Sequence, residues 1–540
     1  MNYSAAVPEF ETAPRWARQD FQILFLIVIF ALILRLVFFT GFYGSDEVTY
    51  FQMARSIQDG NWERSDYIGS IRYGVNIPIA VFLKFFGVSE FAANFWSLLT
   101  SLAEVILVCL AAKHMWGVKP ALVAGLLLAA LPLHVHYAGR LMADAPLAFF
   151  VSLCFIAVWM AEKKNSAALY LLAGISVGSI FWVKDAVFYL TIALLGAYLL
   201  LAHRWHIRWF WMALGALIVV LLNCLLMWII YDNPFHLLSV SFNSFGRANS
   251  LSVAEKKPPE FYFLYLLIDI KHTFLLFYLA LGGVFLALRE NKFSQVMKRS
   301  EGFIFLWAFG FIVLLSMLSL KQVNYMLIFV APLILFSAYF ISSLNRKFQV
   351  ALIGLVIVGG VVLAAFEQQA VQSFTANSRA SVAFAELHPD AVVFAGTGAV
   401  RAEIYQKALG QLHVQRPSMM SLSDLDALLE SKVSPTNPPS KEVTNVKQAF
   451  AIMDPQTADW GAPEDSRWSK RQSSPCLVRG AELVPAAMGY GRYIVDALVA
   501  TFAALPEPLA TKISTKLTNT LRPQSATVFQ IGAPCFVPGA

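Results

Sequence analysis

Two adjacent carboxylates, Asp46 and Glu47, follow directly after the first long apolar segment, in the stretch GFYGSDEVTYFQMAR. Three other short connections between apolar segments contribute the cationic side chains of Arg140, Lys184 and Lys321. A lysine offers a phosphate group a point charge, and an arginine offers it a planar fork that binds two oxygens. A carboxylate kept ionised by such cations can act as a general base toward a hydroxyl or an amine. The pattern therefore predicts a site for an anionic ligand that is held in a lipid bilayer.

Each of these residues also has a plain structural explanation. Adjacent acidic residues after a helix are commonly part of a solvated turn, and a lysine at a helix end commonly extends to the lipid headgroups. The pair His134 and His136, near the end of an apolar segment, is more typical of packing than of metal binding. Asp144 follows Arg140 in the same connection, so a second carboxylate faces the same cations. The combination still predicts a site, because charges at membrane depth are costly and are usually paired or functional.

The composition places most of the chain in a membrane. Of the 540 residues, 58% are hydrophobic and 14% are charged, whereas soluble domains carry about 25% charged residues. The formal net charge of +7 does not indicate nucleic-acid binding, since Lys and Arg of membrane proteins collect in cytoplasmic loops. The sequence has no Walker A motif, Rossmann fingerprint or CxxC pair, and no internal repeat. Nothing in it therefore supports nucleotide-driven pumping or a structural zinc site.

A membrane-spanning helix needs about 20 mostly apolar residues. The sequence has eleven such segments, near 21–40, 90–112, 120–138, 145–161, 167–183, 186–202, 209–231, 272–288, 302–320, 323–343 and 349–366. We therefore predict about 11 transmembrane helices. A shorter apolar piece, 77–86, is too short to span and is predicted to form an interfacial helix.

Basic residues determine the predicted orientation. Every second connection between the predicted helices holds at least two of them, which assigns these connections to the cytoplasm. The basic residues concerned are Arg15, Arg18, Lys113, Lys119, Lys163, Lys164, Arg204, Arg208, Arg289, Lys292, Lys298, Arg299, Arg346 and Lys347. The N-terminus is then cytoplasmic. An odd number of helices puts the C-terminal region outside, together with the long loops 41–76 and 232–271.

The composition changes after residue 366, which divides the chain into a predicted transmembrane domain, 1–366, and a predicted external domain, 367–540. The stretch 388–407, HPDAVVFAGTGAVRAEIYQK, is typical of a strand, a glycine turn and a helix. The second domain is therefore predicted to be a small α/β domain. In an oxidising compartment its cysteines, Cys476 and Cys535, either pair as a disulfide or stay as two unpaired thiols.

Four segments carry further motifs: GSDEVTYFQMARSIQDGNW, GRLMADAPLAFF, GISVGSIFWVKDAVFYL and KQVNYMLIFVAPLIL. In this order they resemble segments of the GT-C glycosyltransferases. Specifically, they are similar to the bacterial branch of the dolichyl-phosphate-mannose protein mannosyltransferase superfamily, which includes the lipid A aminoarabinose transferase. The resemblance covers about residues 20–345. The matched residues are Asp46, Glu47, Tyr50, Ala54, Arg55, Arg140, Asp144, Lys184, Lys321, Tyr325 and Pro332.

The resemblance implies transfer of a sugar from a polyprenyl-phosphate donor to an acceptor, with inversion at the anomeric carbon. It assigns Asp46 as the base that deprotonates the acceptor, and Glu47 and Asp144 as residues that orient Asp46 or the acceptor. Cations that hold the donor phosphate also stabilise charge on the departing polyprenyl phosphate. The cations expected to hold the phosphate are Arg72, Arg140, Lys184 and Lys321. Tyr325 is expected to bind the donor beside them.

Two regions depart from the family pattern. Many relatives carry Lys-Pro-Pro after the first loop, whereas this chain reads IRYGVNIP, with Arg72 and only Pro78. Because this segment diverges, the family pattern does not by itself support the contact of Arg72 with phosphate, and the acceptor can differ from that of the relatives. The C-terminal region resembles no member, so no role carries over to it.

The predicted protein is thus an α-helical polytopic membrane protein of GT-C fold, N-in and C-out, with a small C-terminal α/β domain. By the resemblance it lies in the bacterial inner membrane, with its active site and C-terminal domain in the periplasm. Its predicted partners are a polyprenyl-phosphate-linked sugar donor, membrane lipid and an acceptor that is a lipid, a glycan or a protein. No cofactor and no nucleic acid are predicted, and dependence on a divalent metal stays open. The alternative function is a transporter or flippase of a lipid-linked saccharide, which should place ionisable residues near the bilayer midplane.

Overall fold

The structure, a computed structural model, describes residues 17–202, 206–249, 257–290, 300–412, 417–430, 448–454, 471 and 474–532. The chain is helical up to residue 387. The helices are α1 (Arg18–Val37), α2 (Asp46–Gln58), α3 (Tyr73–Phe86), α4 (Glu90–Trp116), α5 (Val118–Ala130), α6 (Pro132–Ala138), α7 (Asp144–Lys164), α8 (Ala167–Ala202), α9 (Trp209–Tyr231), α10 (His236–Asn249), α11 (Phe261–Ile268), α12 (Ile270–Thr273), α13 (Leu276–Glu290), α14 (Ser300–Ser316), α15 (Leu327–Ser343) and α16 (Arg346–Leu387). A turn of 3-10 helix, Val323–Met326, leads into α15.

The apolar segments of the sequence have become these helices. Each of the eleven predicted spans overlaps one of them, and 167–183 and 186–202 both lie in α8. Among the described residues, seven helices are long and apolar enough to cross a membrane, and the bent pair of α5 and α6 makes a possible eighth. The prediction of a polytopic α-helical membrane protein is confirmed. The number of 11 spans and their orientation stay predictions.

Two breaks interrupt the long apolar helices. α5 and α6 meet at an angle of 61°, because Pro132 has no amide hydrogen to donate and its ring disfavours helical backbone at Leu131. α8 is interrupted at Lys184, whose φ of −161° and ψ of 90° are those of extended backbone. The break in α8 separates the two spans that the sequence predicts there, and it turns the Lys184 side chain out of the helical repeat.

The connection between α1 and α2 turns on two glycines. Gly41 and Gly44 have φ of 66° and 93°, a region that glycine enters without the strain of a side chain. A first side-chain carbon at Gly41 would lie only 2.6 Å from a carboxylate oxygen of Glu90. The turn places Asp46 and Glu47 in the first turn of α2. There the positive end of the helix dipole favours acidic side chains.

After residue 387 the chain forms a small domain around a five-stranded sheet. Its strands are β1 (Ala391–Ala395), β2 (Met420–Ser421), β3 (Gln448–Met453), β4 (Leu477–Leu483) and β5 (Ala526–Ile531). The order is β2-β1-β3-β5-β4, with β1 parallel to β2 and β3, and β5 antiparallel to β3 and β4. Its helices are α17 (Thr397–Ala408), α18 (Leu422–Glu430), α19 (Gly491–Ala503) and α20 (Leu509–Leu521). The predicted small α/β domain is confirmed, and β1 followed by α17 is the strand, turn and helix predicted over 388–407.

α16 links the two parts of the molecule. It runs without a break for 42 residues, so the predicted boundary after residue 366 falls inside a helix, and the division into two domains stays a prediction. The second half of α16 is buried against the C-terminal domain. There the Ser373 hydroxyl donates to the Leu521 carbonyl at 2.9 Å, and the Asn377 amide donates to Asp454 at 2.6 Å. The C-terminal domain is therefore held on a direct extension of a membrane helix.

The described cysteines are of two kinds, free thiols in the helical part and a disulfide-bonded cysteine in the C-terminal domain. Cys109 and Cys154 are free thiols buried among the apolar helices, and Cys224 is a free, half-buried thiol. Cys476 is disulfide-bonded. Its predicted partner, Cys535, lies outside the described residues, so this pairing stays a prediction.

Candidate functional site

Asp46 and Glu47 are adjacent in sequence but lie in different environments. Glu47 is fully buried, where it accepts hydrogen bonds from both Nε and Nη2 of Arg140 and, at 2.9 Å, from the Ser45 amide. Asp46 is only half-buried and accepts a hydrogen bond of 2.7 Å from the Tyr67 hydroxyl. Glu47 is thus committed to holding the backbone and Arg140, whereas Asp46 keeps access to a ligand.

Tyr67 lies in the loop between α2 and α3, which the sequence analysis left without a role. Partial burial raises the pKa of Tyr67 to about 12, and the neighbouring Asp46 adds to the shift by its charge and its hydrogen bond. The phenol therefore remains a protonated donor throughout the physiological pH range. It fixes the orientation of the Asp46 carboxylate at one oxygen.

Asp144 and Lys184 form a buried ion pair below this loop. Asp144 opens α7, and its Oδ1 lies 3.3 Å from the Lys184 Nζ. The Asn324 amide donates to the same oxygen at 3.0 Å. The Lys184 ammonium also lies 4.0 Å from the centre of the Tyr325 ring, a distance at which a cation is attracted to the ring face. The other oxygen of Asp144 is buried and has no hydrogen-bond partner among the described residues.

Arg72 approaches the same region from the start of α3. Its Nη1 donates to the Tyr50 hydroxyl at 2.5 Å. Its Nε is buried and, within the described part of the chain, has no hydrogen-bond partner. Buried guanidinium and carboxylate atoms are nearly always paired in folded proteins. The Nε of Arg72 is therefore a donor that an anionic ligand could pair, whereas the free oxygen of Asp144 would need a hydrogen-bond donor.

A cleft of about 210 Å³ opens beside these residues. Arg72, Lys184, Asp185 and Tyr325 line it on its polar side. The apolar residues of its lining include Ile68, Val187, Leu190, Leu315 and Leu318. A cleft that combines cationic side chains with apolar surface suits a ligand that has a charged group and an apolar body.

The three cations chosen from the sequence have three different sets of partners. Lys184 lines the cleft. Arg140 is buried against Glu47, and its guanidinium lies 4.3 Å from the centre of the Tyr43 ring. Lys321 is 4% exposed and donates to the carbonyls of Lys257 and Leu318. The structure thus brings Arg72, Lys184 and Tyr325 together, and it gives Arg140 and Lys321 contacts of their own. The roles assigned to all five stay predictions.

Among the charged residues that line the cleft, Asp185 is the one to which the sequence analysis gave no role. It follows Lys184 in WVKDAV and is 3% exposed. The Ser241 hydroxyl of α10 donates to its Oδ2. The sequence did contain a signal for Asp185, because it directly follows Lys184, a predicted site residue. A residue next to Lys184 also lies at the break of α8. Nothing in the sequence pairs Asp185 with Ser241, because 56 positions separate them.

The C-terminal domain contacts the loop that carries Asp46. The Arg401 Nη1 of α17 donates to the Gly44 carbonyl at 2.8 Å. The buried Tyr405 ring stacks on Phe42 at 4.9 Å and lies 5.0 Å from Phe51. These contacts hold the backbone on both sides of Asp46. They come from a region more than 350 positions away, which explains why sequence reasoning found no role for it.

No group of three or more His, Cys, Asp or Glu side chains in the described part of the chain is arranged to hold a metal ion. His134 and His136 point into separate surroundings. His134 contacts Arg35 and Glu104, and His136 lies 4.0 Å from Glu367.

Known proteins support the fold and the family resemblance. Residues 75–228 match the family model for dolichyl-phosphate-mannose-protein mannosyltransferase. This segment includes Arg140, Asp144 and Lys184, whereas Asp46 and Tyr325 lie outside it. No curated protein matches the sequence.

Solved structures match nearly the whole chain. ArnT from Cupriavidus metallidurans in the apo state has 17% sequence identity and a TM-score of 0.57, over 96% of this chain and 100% of that one. ArnT of the same organism bound to undecaprenyl phosphate has 16% identity and a TM-score of 0.54, over 97% and 100%. The archaeal oligosaccharyltransferase AglB from Archaeoglobus fulgidus, in complex with an inhibitory peptide and a dolichol-phosphate, has 12% identity and a TM-score of 0.54, over 95% and 88%.

The family match on residues 75–228 and the shared fold agree with the four motif segments, which lie in the predicted order along the helices. They confirm the predicted class, a membrane glycosyltransferase of GT-C fold.

Proposed function

We propose that the protein transfers a sugar, with inversion, from a polyprenyl-phosphate-linked donor to an acceptor on the periplasmic face of a bacterial inner membrane. The observation that carries this proposal is the cleft at which Arg72 and Lys184 meet. The buried Nε of Arg72 has no hydrogen-bond partner among the described residues, and apolar side chains continue the lining. The undecaprenyl phosphate bound by ArnT and the dolichol-phosphate bound by AglB are ligands of the matching chemistry.

In this proposal Arg72 and Lys184 bind the donor phosphate. The Nε of Arg72 has no partner among the described residues, and Lys184 supplies a point charge at the break of α8. The Tyr325 ring and Asp144 hold the Lys184 ammonium in place. The polyprenyl tail leaves along the apolar lining of the cleft. Arg140 and Lys321 remain further candidates for the phosphate, with weaker support because their donors already have protein partners.

Asp46 is the proposed base. The acceptor oxygen or nitrogen attacks the anomeric carbon, its proton passes to Asp46, and the bond from that carbon to the phosphate oxygen breaks. The electron pair leaves with the polyprenyl phosphate, whose charge Arg72 and Lys184 stabilise. Glu47 supports Asp46 indirectly by holding Arg140 and the Ser45 amide. Asp144 acts through Lys184.

The flippase alternative has no observation in its favour. The proposed site groups lie at helix ends and in loops, namely the starts of α2, α3 and α7 and the break of α8. A surface reaction explains this arrangement better than a path across the bilayer.

The test is sugar transfer by purified Asp46→Asn in proteoliposomes that contain a polyprenyl-phosphate sugar and membrane acceptors. Loss of a general base lowers rates by about 10²–10⁴-fold, so we expect a fall of that size with unchanged insertion and thermal stability. The matched control is Glu63→Gln, which removes an exposed carboxylate from the same loop and should retain normal transfer. Near-normal transfer by Asp46→Asn would remove it as the base.

A further inference from the structure

Asp185 is a buried carboxylate in a cleft that we assign to an anionic phosphate, and this position calls for a reason. It is 3% exposed and lines the cleft beside Arg72 and Lys184. A carboxylate repels a phosphate that is bound in the same cleft, and burying the carboxylate costs free energy as well. A site built for phosphate alone would be better without it.

Charge balance does not fully account for Asp185. Its charge does act favourably on Arg72, and so does that of Asp46. Lys184 already has a direct carboxylate partner in Asp144. The two cations therefore have other acidic neighbours.

The hydrogen bonding of Asp185 is also informative. Ser241 donates to Oδ2 and fixes the carboxylate plane from α10. An ionised carboxylate has room for about four hydrogen bonds. A carboxylate oriented in this way in a cleft can accept two hydrogen bonds from neighbouring groups of one ligand.

We propose that Asp185 recognises the sugar of the donor, by accepting hydrogen bonds from its hydroxyl or amino groups while Arg72 and Lys184 bind the phosphate. The cleft then selects sugars that present such donors, and it disfavours uronic acids, whose carboxylate would face a like charge. Asp185 is thus a specificity-determining residue, and Ser241 is a positioning residue that acts through it. This inference rests on the proposed function, because it requires the phosphate to lie at Arg72 and Lys184.

The test measures dissociation constants of the full chain in nanodiscs for three probes: undecaprenyl phosphate, undecaprenyl-phosphate glucose and undecaprenyl-phosphate glucuronic acid. The wild type should bind the glucose lipid at least tenfold more tightly than the glucuronic acid lipid. Asp185→Asn keeps the shape but removes the charge. It should shift the ratio of the two constants toward unity by about 10- to 100-fold, the range of a charge-assisted hydrogen bond. If Asp185→Asn changes the binding of all three probes by the same factor, Asp185 only balances charge and the proposal fails.

A second variant keeps the test valid if Asp185→Asn does not fold. Ser241→Ala leaves the charge but frees the carboxylate to rotate, so the ratio of the constants for the two sugar lipids should shift several-fold, by more than any change in undecaprenyl phosphate binding. An unchanged ratio in Ser241→Ala, or an equal change for the three probes, would count against the assignment. The proposed function is tested separately by Lys184→Ala, which should weaken binding of undecaprenyl phosphate itself. If it does not, the phosphate site is misplaced, whatever the ratio shows.

Discussion

Two clusters of buried charge lie in the same helical bundle and differ in how completely their polar atoms are paired. The first lies among α1, α4, α6 and α7. Its Arg35 donates from Nε to Ser101 at 2.7 Å, and its Nη2 contacts the His134 ring at 2.6 Å. The other nitrogen of His134 lies 3.0 Å from Glu104, which also accepts from the Ser152 hydroxyl at 2.7 Å. Arg35 thus reaches Glu104 through a closed network.

The second cluster consists of Arg72, Lys184 and Asp185, which line the cleft, and of Asp144, which pairs with Lys184. It is buried to a similar degree, yet Nε of Arg72 and Oδ2 of Asp144 have no hydrogen-bond partner among the described residues. It also opens to a cleft of about 210 Å³. The first cluster holds helices together, whereas the second would gain contacts from the ligand that we propose for it.

The difference teaches that burial of charge alone does not identify a site. Both clusters contain ionisable residues that are costly in a membrane. A closed network is consistent with architecture, since each polar group has a partner inside the protein. An incomplete network beside a cleft is consistent with binding. Variants whose effects on stability and on transfer activity are measured separately test this contrast.

The largest expected effect is on stability, in the closed network. Glu104→Ala leaves Arg35 buried without its acidic partner, so the free energy of unfolding should fall by about 3–5 kcal/mol. Thermal unfolding in detergent measures the change, and transfer activity per folded molecule should stay near normal. The matched control, Ser152→Ala, removes one hydrogen bond to the same carboxylate and should lower the free energy by only about 1 kcal/mol. A stable but inactive Glu104→Ala would make this network part of the site.

Lys184→Ala should give the opposite pattern. Loss of the cation at the cleft should lower transfer at limiting donor about 100-fold, a size typical of a lost charge-assisted contact. The unfolding temperature should fall less than in Glu104→Ala, since Asn324 still donates to Asp144. Initial rates at varied donor concentration measure the effect.

Lys321→Ala is the comparison for this prediction. Its ammonium donates to two backbone carbonyls, so we expect less than a tenfold loss. An equal loss of transfer in both lysine variants would indicate that Lys321 also binds the donor phosphate.

Arg401→Ala tests whether the contact of α17 with the Asp46 loop matters for chemistry. It removes the hydrogen bond to the Gly44 carbonyl, two positions before Asp46. We expect kcat to fall about tenfold, as for a lost hydrogen bond to a charged group, while the KM for donor is unchanged, because Arg401 does not line the cleft that holds Lys184. Arg401→Lys should recover part of the rate. Lys407→Ala, a change in an exposed side chain of the same helix, is the matched control and should behave as wild type.

The sequence was sufficient for part of this picture. Apolar length predicted the helices, and the motif around Asp46, Asp144 and Lys184 predicted residues that the structure places on one connected set of loops and helix ends. Pairing could not be predicted, because it depends on side chains brought together from distant positions. Arg140 illustrates this, since its sequence spacing suggested a phosphate ligand while the fold pairs it with Glu47, 93 positions away. The divergent IRYGVNIP segment still places Arg72 at the cleft, although it lacks the Lys-Pro-Pro of many relatives.

The smallest expected effect is that of Tyr67→Phe. The variant removes the hydrogen bond to Asp46 and leaves the ring, so transfer should fall about three- to tenfold, as for one lost hydrogen bond to a charged group. The pKa of Tyr67 is raised to about 12. Because the donating, protonated form is therefore present below that value and is lost only as the pH rises through it, the ratio of variant to wild-type rate should be constant from about pH 6 to 9. Tyr231→Phe, which alters a phenol that accepts from the Ser65 amide, is the control for general loop damage.

A ratio that changes within this pH range would contradict the role given to Tyr67 as a fixed donor. It would mean that the phenol exchanges a proton during the reaction, and Asp46 and Tyr67 would then act as one proton-accepting unit. A constant ratio leaves Asp46 as the group that takes the acceptor proton, with Tyr67 setting only its orientation. The pH profile therefore separates positioning from proton transfer at Asp46, the proposed base.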